Sequence, residues 1–140
     1  MRSRALISLL LIAIFLLPSR VFPDEKSGSA VYIATYFFTS VRCPSCLSIE
    51  KLTSETIQAE FARELGSGVL KWRTVNVERA GNFHYVKDYN LYTKSVIISQ
   101  VVDGKEVRWK NLVKVWELLR NEGKFKKYVK DEVTSFMAGR

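Results

Sequence analysis

The sequence predicts an α/β fold of three layers, in which a central mixed sheet of about four strands is flanked by helices, with an extra C-terminal helix. Apolar runs that contain many β-branched residues alternate with amphipathic segments, and together they predict the order β-α-β-α-β-β-α. The β-α-β start implies two parallel strands joined by a right-handed crossover. Asp103-Gly104 is a two-residue hairpin signal that adds an antiparallel edge strand.

The first half of the chain supplies the β-α-β unit. A first strand is predicted over Val31–Thr39, where apolar residues occupy both alternating positions, as in a strand covered on both faces. A long helical pattern then starts at Pro44, which suits a first helical turn because its missing N–H is not needed there. Gly66 and Gly68 are stop signals for that helix. The β-branched stretch Val69–Val77 is the second strand.

The second half of the chain supplies the hairpin and the remaining helices. Asn82 is predicted to cap a short helix, because its side chain can accept hydrogen bonds from free backbone N–H groups. The later elements are a helix at 83–90, strands at 95–102 and 105–109, and helices at 111–120 and 124–137. Gly123 is expected to separate the last two helices.

The N-terminal residues 1–22 are predicted to be a signal peptide or an N-terminal anchor. The basic stretch Met1–Arg4 precedes an apolar run at Ala5–Leu17, as in a secretory signal. Because a membrane span needs about 20 apolar residues, a cleaved signal is favoured over a retained anchor. Residues 23–30 then form a linker, and 31–140 the domain. We expect an exported protein, periplasmic or otherwise extracytoplasmic, either secreted or anchored in the membrane by its N-terminus.

The composition argues against several classes of partner. The net charge is +8, from 22 basic and 14 acidic residues, and the excess is scattered along the chain. Basic and aromatic residues are not interleaved as in RNA-binding signatures, so no nucleic acid partner is expected. No flavin or nicotinamide motif is present, and no cofactor is expected. His84 is the one histidine, so two cysteines would lack the further ligands of a zinc site, and no metal is expected.

The chemistry of the chain is predicted to lie at Cys43-Pro44-Ser45-Cys46. These are the only two cysteines, and a disulfide between them closes too short a loop to add much stability. Cys43 opens the helix, where the helix dipole and free N–H groups should lower its pKa, and Arg42 is expected to tune it further. Cys43 is therefore the expected nucleophile and Cys46 the resolving thiol. Pro44 and Ser45 set the turn.

A C-x-x-C motif that follows an apolar strand and opens a helix resembles the thioredoxin-like superfamily. More narrowly, the chain resembles the small exported family named after ArsF, whose members are labelled subunits of a nitrophenyl-compound nitroreductase. The stretches that carry this likeness are Arg42–Cys46, Trp72–Val77, Tyr89–Val96 and Val107–Leu112.

The resemblance implies thiol–disulfide exchange and a substrate-docking loop at Thr93, Lys94 and Ser95. Ser95 stands where thioredoxins carry a cis-proline, and a trans peptide bond is expected there. Phe37 stands where thioredoxins bury an acid that helps to move protons. The resemblance therefore implies altered docking, and proton transfer through water or another group.

These observations favour an enzyme, an exported thiol–disulfide oxidoreductase that acts on protein thiols or disulfides or on a dedicated redox partner. Two alternatives stay open. One is a non-catalytic thioredoxin-like subunit of a membrane redox or transport complex, with an inert Cys43–Cys46 disulfide. The other is a redox module that binds a soft metal through its two sulfurs. Membrane association through the N-terminal segment is compatible with each of them.

Overall fold

The computed structural model describes residues 29–139, so the predicted signal at 1–22 and most of the linker at 23–30 lie outside the described residues. Within that range, one sheet has the strand order β2-β1-β3-β4. Strands β1 and β2 are parallel, and the β1–β3 and β3–β4 pairs are antiparallel. The strands are β1 (Val31–Phe38), β2 (Leu70–Asn76), β3 (Ser95–Val102) and β4 (Lys105–Asn111). This mixed sheet, with helices on both faces, confirms the predicted thioredoxin-like fold class.

The helix after β1 is interrupted where one uninterrupted helix was predicted. Helix α1 spans Pro44–Glu60 and the short helix α2 spans Ala62–Gly66. Between them Phe61 leaves helical geometry, with φ −126° and ψ 30°, and its side chain is buried in the core. Its N–H still donates to the Ile57 carbonyl at 3.1 Å, so the chain bends without losing that hydrogen bond.

The first face of the sheet is covered by α1 and by the C-terminal helix α4, which spans Glu122–Met137. The largest apolar cluster lies here, and its fully buried members include Tyr36, Ile49, Ile98, Phe125 and Val129. Ion pairs join the outer edges of the two helices: Lys126 with Glu55 at 3.0 Å, and Lys130 with Glu60 at 2.6 Å. Two of the lysines of α4, Lys126 and Lys130, therefore bind α1 as well as facing solvent. Within residues 29–139, no helix is long and apolar enough to cross a membrane.

The second face of the sheet is covered by the five-residue helix α3, His84–Asp88. Phe37, Val77, Tyr89 and Ile97 form a smaller buried cluster beneath it. The predicted cap at Asn82 is wrong. Its amide nitrogen donates to the Asn76 carbonyl at 2.9 Å, and the cap position is taken by Phe83 without a side-chain hydrogen bond.

The helix predicted at 111–120 is also wrong. Strand β4 continues to Asn111, and the Leu112 N–H still donates to the Val96 carbonyl of β3 at 2.9 Å. Only the single 3-10 turn Val113–Val115 follows, so the apolar spacing at 111–120 reflects a tight turn packed on the core.

The start of the last helix also differs from the prediction. Asn121 caps α4 by accepting a hydrogen bond from the Lys124 N–H at 2.9 Å. Gly123 therefore lies inside the first turn of α4 instead of separating two helices.

Candidate functional site

The two cysteines lie at the start of α1, after the loop that follows β1. They are joined by a disulfide with an S–S distance of 2.09 Å and a Cα–Cα distance of 5.0 Å. Cys43 occupies the N-cap of α1 and is partly exposed, whereas Cys46 is fully buried. The Cys46 sulfur is therefore out of reach of a partner in solution, whereas Cys43 is partly accessible. The order of nucleophile and resolving thiol stays a prediction.

The N-terminus of α1 directs a backbone donor at Cys43. The Cys46 N–H donates to the Cys43 sulfur at 3.1 Å, so the sulfur occupies the place of a capping side chain. The first turn contains no acidic residue, and Pro44 takes the first position, where no N–H is needed. When the disulfide opens, this donor and the helix dipole favour a thiolate at Cys43.

Tyr36 forms the floor of the site from β1. Its hydroxyl donates to the Cys46 carbonyl oxygen at 2.9 Å, and its ring is fully buried. Burial raises the pKa of Tyr36, and the positive charge of Arg42 opposes part of that rise. The hydroxyl therefore stays a donor that fixes the first turn of α1. Nothing in the sequence marks this role, because Tyr36 is one of several apolar residues in a strand that is predicted to be buried.

Arg42, the predicted tuner of Cys43, contacts two side chains at once. Its guanidinium lies 4.1 Å from the centroid of the Phe38 ring and forms an ion pair with Glu50 of α1. Glu50 was missed by sequence reasoning. Its spacing of seven residues from Cys43, about two helical turns, was the available signal, because it puts both residues on one side of the helix.

The predicted docking loop lies at the start of β3, beside the end of β1. Ser95 is opposite Phe37 in the sheet, and its hydroxyl donates to the Thr93 carbonyl at 2.9 Å. The Trp116 indole N–H donates to the Lys94 carbonyl at 2.9 Å. All peptide bonds within residues 29–139 are trans, including the one before Ser95. Hydrogen bonds from the Ser95 and Trp116 side chains therefore hold this loop.

A cavity of about 340 Å³ lies between the docking loop, α3 and the ends of β1 and β2. Most of its lining is apolar or aromatic: Phe37, Phe38, Val77, Phe83, Val86, Leu91 and Tyr92. Glu78 and Lys94 supply its charged groups. Glu78 accepts a hydrogen bond from the Ser40 N–H at 2.8 Å, which holds the pKa of Glu78 below its usual value and ties the cavity to the loop before Cys43.

Exposed apolar side chains flank the cysteine motif in sequence and line this cavity. Tyr92 is 96% exposed at the tip of the docking loop, and Phe83 is 63% exposed on the rim of the cavity. Val41 and Leu47 are exposed on either side of the cysteine motif. Exposed apolar groups concentrated around one feature are typical of a surface that binds another protein.

The described residues offer the two cysteines no further metal ligands. No group of three or more histidine, cysteine, aspartate or glutamate side chains positioned for a metal occurs within residues 29–139. His84 is exposed on α3, with its Nδ1 atom 2.7 Å from a carboxylate oxygen of Asp88.

Comparisons with known protein families and with curated proteins found no match for this chain. Among solved structures, the chain is similar to a thioredoxin from Trypanosoma brucei brucei. The two are 19% identical with a TM-score of 0.41, and the match covers 77% of this chain and 79% of that chain. A similarity this low adds nothing to the fold assignment, which rests on the sheet topology. The narrower likeness to the family named after ArsF stays a prediction.

Proposed function

We propose that this chain is a thiol–disulfide oxidoreductase, with Cys43 as the nucleophile and Cys46 as the resolving thiol. The observation that carries the proposal is the position of Cys43, a partly exposed residue at the N-cap of α1 whose sulfur accepts the Cys46 N–H at 3.1 Å. Low-pKa reactive cysteines occur in such surroundings, whereas inert structural cysteines are buried.

The proposed reaction exchanges one disulfide for another. The Cys43 thiolate attacks one sulfur of a substrate disulfide, forming a mixed disulfide and releasing the other substrate sulfur as a thiolate. The proton of the buried Cys46 passes, through water or another group, to that leaving thiolate. The Cys46 thiolate then attacks the Cys43 sulfur, which re-forms the Cys43–Cys46 disulfide and releases the second substrate thiolate. The substrate gains two electrons that the dithiol loses, and the reverse sequence oxidises a substrate dithiol.

The proposed substrate is a protein thiol or disulfide, or a dedicated redox partner. Exposed apolar side chains beside the cysteine motif in sequence, Val41 and Leu47, and on the cavity, Phe83 and Tyr92, support a protein partner, because a small polar disulfide would gain little from them. Thr93, Lys94 and Ser95 are proposed to dock the partner chain beside Cys43. Arg42 is proposed to tune the Cys43 thiolate.

The proposed location is outside the cytoplasm, in the periplasm or an equivalent extracytoplasmic space. Its support lies in the sequence of residues 1–22, a basic start followed by an apolar run. Mass spectrometry of the protein from a fractionated native host tests it. A mature chain lacking 1–22, or an intact chain in the membrane fraction facing outward, supports export. An intact chain inside the cytoplasm contradicts it.

Insulin reduction by the purified protein, driven by dithiothreitol, tests the proposed activity. Wild type should accelerate precipitation of the insulin chains, and Cys43→Ser should reduce the rate to that of dithiothreitol alone, because the attacking sulfur is gone. In a separate reaction, Cys46→Ser that is reduced and then freed of dithiothreitol should accumulate a mixed disulfide between Cys43 and insulin, detectable as a mass increase that added reductant removes.

The matched control is Ser45→Ala, which changes the same turn and leaves both sulfurs in place. It should retain most of the wild-type rate. Equal rates for wild type and Cys43→Ser would eliminate the enzyme and favour the non-catalytic partner subunit.

A further inference from the structure

The Arg42 side chain is held on two sides next to the dithiol. Its guanidinium packs 4.1 Å from the centroid of the Phe38 ring and pairs with the Glu50 carboxylate. The two charged side chains are only 26% and 29% exposed, so water screens this pair less than a pair in open solvent. Glu50 lies one helical turn after Cys46, so Arg42 runs along the side of α1 that carries the cysteines.

The charge of Arg42 also acts on the floor of the site. It lowers the pKa of Tyr36 against the larger, opposing effect of burial. The Tyr36 hydroxyl is itself 2.9 Å from the Cys46 carbonyl oxygen. The positive charge of Arg42 therefore acts on a hydroxyl that is hydrogen-bonded to the backbone of Cys46.

The Arg42 Nε–H is a buried donor with no acceptor among residues 29–139. Such a donor costs free energy for as long as it is unpaired. Opening the disulfide creates an anionic sulfur on Cys43, the next residue in the chain, and an anion is the acceptor that a guanidinium N–H binds best. The oxidised site thus contains an unpaired donor on the residue that directly precedes Cys43.

We propose that Glu50 is a positioning residue: it anchors Arg42 so that the guanidinium charge and its free Nε–H stabilise the Cys43 thiolate of the reduced protein. The inference rests on the proposed function and names the residue that regulates its nucleophile. The other titratable groups near the motif are Tyr36 from β1, Glu78 after β2 and Lys94 before β3. Glu78 and Lys94 are oppositely charged and line the same cavity, and all three stay unchanged in the test.

The test is the pH dependence of Cys43 alkylation by iodoacetamide in the reduced protein, with the modified residue identified by mass spectrometry. Arg42→Gln should raise the apparent pKa of Cys43 by about half a unit or more. Glu50→Ala should raise it as well, because the guanidinium loses its anchor. Glu50→Gln should lower it, because the amide oxygen still holds Arg42 while the negative charge is gone.

The Arg42→Gln background separates anchoring from simple charge. There, Glu50→Ala should lower the Cys43 pKa or leave it unchanged, the opposite of its effect when Arg42 is present. If Glu50→Ala lowers the pKa in both backgrounds, Glu50 is only a counter-charge and the inference is wrong. Glu55→Gln, a carboxylate farther along the same helix, is the matched control and should leave the pKa unchanged.

Circular dichroism melting establishes that each variant folds. If Glu50→Ala does not fold, Arg42→Lys decides the matter, because it keeps the charge and removes the Nε–H. It should raise the Cys43 pKa, and an unchanged value overturns the inference. If the Cys43 pKa shifts in the opposite direction in these variants while wild type still reduces insulin, the inference is rejected and the proposed function stands. Loss of the Cys43-dependent insulin reduction rejects the proposed function instead.

Discussion

The two faces of the sheet are built differently. The first face is covered by the long helices α1 and α4, and its core includes the fully buried Phe125 and Ile49. The second face is covered by the five-residue helix α3 over a smaller cluster that includes Phe37 and Tyr89. Cys43 and Cys46 belong to α1 of the first face, whereas the cavity and its exposed aromatic rim belong to the second.

Under the proposed function, the two faces of the sheet have different roles. A reactive dithiol needs fixed geometry, and α1 obtains it from a large core and from ion pairs with α4. The proposed partner surface needs accessible apolar groups, and Phe83 before α3 and Tyr92 before the docking loop are exposed. We therefore expect substitutions on the first face to act mainly on stability, and those on the rim of the second to act mainly on substrate binding.

The largest expected difference is in the free energy of unfolding. Phe125→Ala should lower it by about 3–5 kcal/mol, because the ring is fully buried between α4 and the sheet. Tyr85→Ala on the second face should cost about 1–2 kcal/mol, because that ring is only partly buried. Urea unfolding followed by circular dichroism measures both. Equal losses of unfolding free energy in the two variants would show that both faces stabilise the fold to the same extent, and would contradict the difference proposed between them.

A smaller effect is expected in binding at the rim of the cavity. Phe83→Ala should raise KM for a protein disulfide several-fold and leave the melting temperature unchanged, because the ring is 63% exposed. Turnover of a small disulfide such as oxidised glutathione should not change, since it does not reach the rim. Val69→Ala, at the opposite end of the sheet, is the control. A parallel rise in KM for the small disulfide would argue against a docking role.

The smallest expected effect is on stability at alkaline pH. Burial, and then the hydrogen bond to Glu106 at 2.5 Å, raise the pKa of Tyr89 above its usual value. The folded protein therefore keeps this proton above about pH 10, where the unfolded chain has lost it. Stability should be full below that pH and fall as the pH rises further.

Urea midpoints between about pH 8 and about pH 11 measure this slope. Tyr89→Phe should make the alkaline decline shallower, because the phenol that titrates differently in the two states is gone. Tyr92→Phe removes a hydroxyl from a side chain that is 96% exposed and should leave the slope unchanged. An identical slope in wild type and Tyr89→Phe would contradict the assignment.

The strands and the order of the elements could be predicted because their signals are local. The β-branched runs of β1 and β3 and the Asp103-Gly104 turn each specify their own structure. The errors occurred where one pattern fits two structures. Buried residues three apart, such as Leu112 and Val115, occur in an amphipathic helix and also in a tight turn packed on a core. At Phe61 the apolar period continues through the break, so nothing in the sequence marks it.

The candidate site was predictable to the extent that it is contiguous in sequence. Cys43 and Cys46 follow from spacing and from their place before a helix. The partnership of Arg42 with Glu50, and that of Tyr36 with the Cys46 carbonyl, depend on how β1 packs under α1. The cavity depends on the distance between α3 and the docking loop, which no local pattern specifies.

The reduction potential of the Cys43–Cys46 disulfide tests most directly whether the pair is redox-active. The protein is equilibrated in glutathione or dithiothreitol buffers of graded potential, and the reduced fraction is counted by thiol alkylation and mass spectrometry. An exposed nucleophile stabilised as a thiolate predicts a midpoint between about −120 and about −270 mV, the range of thiol–disulfide oxidoreductases. A midpoint below about −300 mV, typical of structural disulfides, would contradict it.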